Sequence, residues 1–250
     1  DWITPYFNGE PRLVKPVLFY WLILLSYLVF GVTELAARLP SALGAAACVG
    51  MIYVLVQKRA NRWFALMAGS VLATSLGFVA MGRVAITDMT LTTMMAATTV
   101  ALYLVVHQDR RWWLVAGLFS GLGILTKGPV AIVLPGAVLF WYALFLQQFK
   151  YAFVTRWFPL AVVLAVAVAA PWYWLAAGAN GPEFWDITLE NNFGRFSGKI
   201  DYHPKPWWFF FPVLAAMAVP WTFFLPVALV FWARIKPNFS DEVYRLTFFG

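Results

Sequence analysis

The chain has 250 residues and a formal net charge of +7, with 62% of its residues hydrophobic and 12% charged, and its mean hydropathy is +0.75. A water-soluble domain is roughly half apolar and a quarter charged, so this chain carries more apolar surface than one core can hide, and lipid must take the remainder. The cations are scattered one to three per loop with no basic stripe, which gives no surface for nucleic acid, and the single cysteine, Cys48, excludes an internal disulfide.

The chain starts without a Met or a signal peptide, and it ends on what reads as a helix cut after two turns, so it is expected to be a fragment of a longer polytopic protein. Its first apolar run has an unusual entry. In GEPRLVKPVLFYWL (9–22), Arg12, Lys15, Pro11 and Pro16 stand directly before Phe19, Tyr20 and Trp21. Apolar segments then follow over 17–33, 42–56, 63–82, 89–106, 113–126, 129–146, 158–177 and 207–233. A spanning helix needs about 17–25 residues. Segments 42–56 and 113–126 fall short and need flanking Arg or Trp to reach the interfaces. Gly117 and Gly121 form a G-x-x-x-G in the latter, a pattern that lets helix backbones approach in lipid.

Lys and Arg in short loops set the orientation. The loops 57–62, 107–111, 147–156 and 233–242 carry nine, against eight in the segments on the other side, three of those in one long loop. The first group is therefore read as cytoplasmic. On that reading 34–41 and 83–88 both lie outside. Segment 17–33, at the lower limit for spanning and with aromatics crowding its start, is read as a helix lying in the interface. Lys15, Arg38, Arg83 and Asp88 then share the outer face. The expected fold is an all-α polytopic membrane protein with about seven transmembrane helices and an interfacial juxtamembrane helix. It forms one membrane-embedded domain (1–250), with a first external loop at 1–41 and a long external loop at 178–206.

Eight of the eleven acids fall on the outer side. Asp88, in GRVAITDMTLTTMM, lies where two apolar segments meet, and a carboxylate at membrane depth is costly unless it is paired or functional. Arg83 is a local candidate partner, but on one helix the two would point about 140° apart. Lys127 closes a short helix in LTKGPVAIVLPG, as a snorkelling lysine or as a substrate contact. The long loop offers Glu190, Asn191, Asn192, Arg195 and His203 to a sugar, a phosphate or a metal, without metal-ligand spacing. His107, beside Asp109, reads as a solvated loop residue.

Five stretches occur in an order that resembles a known family: DWITPYFNGEPRLVKPVLFYW, GVTELAARLPSALGA, GRVAITDMTLTTM, LTKGPVAIVLPG and NNFGRF followed by HPKPWW. The pattern is similar to polyprenyl-phosphate-dependent glycosyltransferases of the C-type fold, closest to bacterial aminoarabinose transferases of lipid A and more distantly to protein O-mannosyltransferases. The resemblance implies transfer of a sugar, with inversion, from a polyprenyl-phosphate donor to a lipid, glycan or protein acceptor on the outer face of a bacterial inner membrane. It implies donor-phosphate binding by Lys15, Arg38 and Arg83 and a catalytic role for Asp88, while Lys127, Glu190, Asn192 and Arg195 are candidate substrate-loop residues on the reading of the residues themselves. It also implies a possible divalent metal ion at His203. The family's K-P-P is K-P-V here, with Val17 at the third position. Its first acid pair would lie upstream of Asp1 and its C-terminal portion is absent, so the fragment alone is expected to be inactive. A polytopic transporter or flippase is the alternative, although the polar residues collect at one face rather than near the midplane.

Overall fold

The computed structural model describes residues 2–194 and 206–235. Two compact units emerge, one from 1–41 with 85–204 and one from 42–84 with 205–250.

The first unit opens with a small hairpin, β1 (Tyr6–Phe7) and β2 (Glu10–Pro11), paired antiparallel with Tyr6 opposite Pro11. Asn8 and Gly9 form its turn at φ 52° and 83°, the left-handed pair that two-residue hairpins favour. Helix α1 (Leu18–Phe30) follows. Its 13 residues make about 20 Å, too short to cross a hydrocarbon core of about 30 Å. It buries Val17, Leu18 and Phe19 at its start and exposes Leu28, Val29 and Phe30 at its end. This is the shape of an interfacial helix.

Helix α2 (Glu34–Arg59) is longer than the apolar segment 42–56 suggested. Thr33 begins it by accepting a hydrogen bond from Ala36 N (3.2 Å), and Glu34 and Arg38 pair one turn apart. Those charges and Pro40 interrupt the hydropathy pattern without ending the helix.

Four helices build the body of the first unit: α5 (Thr87–His107), α6 (Trp112–Lys127), α7 (Val130–Phe145) and α9 (Trp157–Asn180). Short connections make sequence neighbours run antiparallel, with α8 (Phe149–Phe153) between α7 and α9. Helix α6 is central and packs on α5, α7 and α9. The G-x-x-x-G forms its α9 face. A Cβ at Gly117 would sit 2.8 Å from Ala161 Cα, and one at Gly121 2.8 Å from Ala165 O. The starts of α5 and α7 and the ends of α6 and α9 thus share one end of the unit. The opposite end carries 107–111 and 146–156.

In the second unit the apolar run 63–82 is broken into α3 (Arg62–Thr74) and α4 (Leu76–Arg83), bent by 63°. Thr74 and Ser75 hydroxyls donate back to Ser70 O (2.6 Å) and Val71 O (2.7 Å), a contact that loosens helices. The freed Leu76 N–H donates to Val219 O at 2.8 Å. Val219 lies in a second break, where the helical stretches Trp207–Met217 and Trp221–Val230 meet at 101°. Gly77 lets Met217 approach, and Trp221 Nε1 donates to Thr74 Oγ1 at 2.9 Å. The two breaks therefore support one another.

Helices α2, α5 and α9 are long and apolar enough to cross a membrane, and each bent pair can supply one further span. Helices α6 and α7, with 16 residues each, make about 24 Å and reach the interfaces through their flanking residues. Among the described residues this gives seven crossings and one interfacial helix.

Candidate functional site

An ion pair between Asp88 and Lys127 marks one end of the first unit. Asp88 stands in the first turn of α5 and Lys127 in the last turn of α6. Each charge complements its own helix dipole. The antiparallel packing of the two helices brings together residues 39 positions apart. Lys127 reaches one carboxylate oxygen, Oδ1. The side chains are 38% and 29% exposed respectively, so a ligand can reach both. The partner of Asp88 is therefore supplied by another helix rather than by nearby Arg83.

Gly128 ends α6 at φ 82°, and its bare Cα accommodates Asn192, whose side-chain oxygen would collide with any Cβ there. Asn192 is held in turn by its Nδ2, which donates to Thr188 O at 2.8 Å, and Asn191 donates likewise to Ile187 O. The stretch read as an open loop is helical here, with α10 (Glu183–Leu189) and a wide turn at Glu190–Gly194. Phe184 of α10 is fully buried against Trp172 of α9. Glu190 is exposed at the start of the turn.

Lys15 approaches the same end. Two residues after it, Val17 enters a buried cluster with Leu18, Leu125, Trp172 and Phe184, and Leu125 lies two residues before Lys127. Three hydrogen bonds fix the segment ahead of Lys15. Trp172 Nε1 donates to Ile3 O (2.9 Å), Asn180 Nδ2 to Thr4 Oγ1 (2.9 Å), and Trp21 Nε1 to Trp2 O (2.7 Å). Lys15 itself is half-buried. Burial pushes the Tyr20 hydroxyl above its ordinary pKa, against the opposing pull of Arg12.

Arg38 is engaged by Glu34 on its own helix. Arg83 ends α4 in the second unit and is exposed beside Ala42, Ala45 and Val79. Arg195 and His203 lie outside the described residues. Among the described residues no three His, Cys, Asp or Glu side chains come together as a cation site. His107 differs from its expected place. It is the last residue of α5, with Nε2 2.6 Å from Tyr142 Oη and its ring 4.3 Å from that of Tyr103. Helix α5 runs further than its apolar segment, and α7 supplies the tyrosine. Sequence reasoning missed the contact of Asn192 with Gly128 and the tryptophan anchors of the N-terminal segment, because each joins residues far apart in the chain.

A family model described as dolichyl-phosphate-mannose-protein mannosyltransferase matches residues 14–174. An undecaprenyl phosphate-alpha-4-amino-4-deoxy-L-arabinose arabinosyl transferase of Pseudomonas savastanoi pv. phaseolicola is 36% identical over 221 residues, covering 86% of this chain and 41% of the relative. One of the same description from Pseudomonas paraeruginosa is 33% identical, covering 88% and 41%. The crystal structure of ArnT from Cupriavidus metallidurans bound to undecaprenyl phosphate superposes with a TM-score of 0.82 at 26% identity, covering 96% of this chain and 44% of that one. The apo structure gives 0.78 at the same identity, covering 90% and 42%. The chain thus spans about two fifths of the length of these relatives. With a helical fold that matches theirs and a family match running from the segment before Lys15 through α9, this multi-pass membrane chain belongs to the dolichyl-phosphate-mannose-protein mannosyltransferase family.

Proposed function

We propose that the protein is an integral-membrane glycosyltransferase that moves a sugar from a polyprenyl-phosphate donor, such as an undecaprenyl phosphate sugar, to an acceptor on the outer face of a bacterial inner membrane. The names of its relatives favour an undecaprenyl phosphate aminoarabinose donor, and the acceptor proposed with it is lipid A-like. The observation that carries this reading is the position of Lys15 and the Asp88–Lys127 pair at one end of the first unit, joined by the Val17–Leu125 cluster.

The donor's apolar tail lies in lipid and its phosphate at the interface. A cation at the lip of an interfacial helix meets both. As the bond between sugar and phosphate breaks, negative charge grows on the leaving phosphate. Lys15, fixed ahead of α1, stabilises that charge more in the transition state than before it. Asp88 places Lys127 through one oxygen and offers the other to an acceptor hydroxyl, as a proton acceptor or as an orienting group. Asn192 holds the far side of this turn against Gly128. Arg38 and Arg83 are proposed as further contributors to phosphate binding, and His203 would be a ligand for a divalent ion, which would supply a charge that orients the substrate.

The test is sugar transfer by the whole protein in membranes, with Lys15→Ala and Asp88→Asn against wild type. Loss of turnover with normal membrane insertion supports the reading. Uptake or flipping of a lipid-linked sugar with no transfer would overturn it in favour of transport.

A further inference from the structure

An apolar cavity runs along the first unit, from Trp113 and Phe158 at the end opposite Asp88 to Ile124 and Ile132 near the Lys127 turn. It has a volume of about 180 Å³ and is bounded by α5, α6, α7 and α9. Trp113 and Phe158 close one end, their rings edge to face at 4.9 Å, and Trp113 is fixed by donating its Nε1–H to Ala152 O at 2.9 Å. Thr98 in the wall turns its hydroxyl back to Met94 O (2.9 Å), leaving the lining apolar. Of the lining, Ile132 of α7 and Val162 and Val166 of α9 are exposed, so the cavity opens on the lipid-facing side of these two helices. A Cβ at Gly136, which also lines the space, would meet nothing within 4 Å. An apolar void of this size stays dry and takes an apolar guest. In a membrane the abundant guest is a hydrocarbon chain.

The charges beside the cavity say which chain. Arg111 precedes Trp113 by two residues, and Arg156 precedes Phe158 by two. Both guanidinium groups lie around a single indole, that of Trp157, at 5.9 and 5.0 Å from its centroid. Two like charges gathered at one ring next to an apolar slot suit one shared anion. The nearby Asp109 accepts the backbone N–H of Arg111 on Oδ1 at 2.7 Å. This end carries the cation-rich loops, the side that faces the anionic leaflet.

We propose that the first unit binds one anionic phospholipid from the inner leaflet, with an acyl chain in the cavity and its phosphate between Arg111 and Arg156. A polyprenyl donor whose phosphate is held at Lys15 would enter this space tail first and would gain nothing from the two arginines. The two arginines thus set this headgroup site apart from a phosphate held at Lys15, and the proposal does not depend on the transferase reading.

The test is native mass spectrometry of the whole protein released from nanodiscs containing equal phosphatidylglycerol and phosphatidylcholine. Wild type should retain one phosphatidylglycerol per chain. Gly136→Phe, which fills the cavity, should lower retention at least tenfold, with Gly136→Leu as a milder filling variant should the larger one not fold. Arg111→Gln with Arg156→Gln should leave a lipid bound but lower its preference for phosphatidylglycerol by about tenfold. Equal retention of the two lipids by wild type, or retention unchanged by both filling variants, would overturn the proposal. So would a retained polyprenyl phosphate that the filling variants displace.

Discussion

Asp88 and Lys127 join the first turn of α5 to the last turn of α6 through an ion pair between side chains that are both partly open to solvent. Such pairs contribute little to stability, because water screens them and ordering two side chains costs entropy. Asp88→Asn or Lys127→Ala should therefore lower stability by about 1 kcal/mol or less. Transfer by the whole protein should fall far more for Asp88→Asn, by ~10²-fold or beyond. The charge-swapped double variant Asp88→Lys with Lys127→Asp keeps a pair but sets both charges against their helix dipoles, so it should lose about 1–2 kcal/mol of stability and still fail in transfer. Recovery of transfer by the swap would reduce the pair to a structural link.

Gly128 meets two demands, a φ of 82° and close approach of Asn192. Gly128→Ala should cost about 1–2 kcal/mol from the backbone conformation alone, with the collision adding to it. Adding Asn192→Ala should recover the collision and leave the conformational part. Thermal unfolding of the two single variants and the double variant measures both terms. Strict additivity would mean that Asn192 does not press on Gly128.

Two glycines in neighbouring helices should behave oppositely. Gly117 lies against Ala161, whose Cα would be 2.8 Å from an added Cβ. Gly117→Ala should then force α6 away from α9 and cost about 1–3 kcal/mol. Gly136 faces open space, and Gly136→Ala should be neutral or stabilise by up to about 1 kcal/mol. Denaturation of both variants in one detergent makes the comparison.

The seven crossings and the interfacial α1 were legible in the sequence because hydropathy and loop charge respond to the lipid itself. The bends at Ser75 and at 218–220 were not. They depend on Leu76 N reaching Val219 O across more than a hundred residues, which no local pattern encodes. The extension of α2 to Glu34 was hidden by its Arg38 and Pro40, which read as the end of an apolar run. Asp88 stood out as a lone carboxylate between apolar segments, but its partner did not. Lys127 becomes a neighbour only when α5 and α6 pack antiparallel. His107 was misplaced for the same reason, since its hydrogen-bond partner Tyr142 comes from another helix.

The N-terminal segment is tethered to α9 by the Trp172 indole, which donates to Ile3 O. Trp172→Phe keeps most of the packing and removes that bond, at about 1 kcal/mol. The segment carrying Lys15 should then be held less firmly, raising the donor KM about fivefold, with kcat changed less. An unchanged KM would show that the tether plays no part in placing Lys15.

The most direct measurement is the rate of sugar transfer from a polyprenyl-phosphate donor by membranes containing the whole protein with Lys15→Ala, beside Lys15→Arg. A lysine that stabilises the leaving phosphate predicts a fall of roughly 10²–10³-fold for alanine, with part of it restored by arginine. Near-normal transfer by correctly inserted Lys15→Ala would contradict a phosphate-binding lysine at the lip of α1.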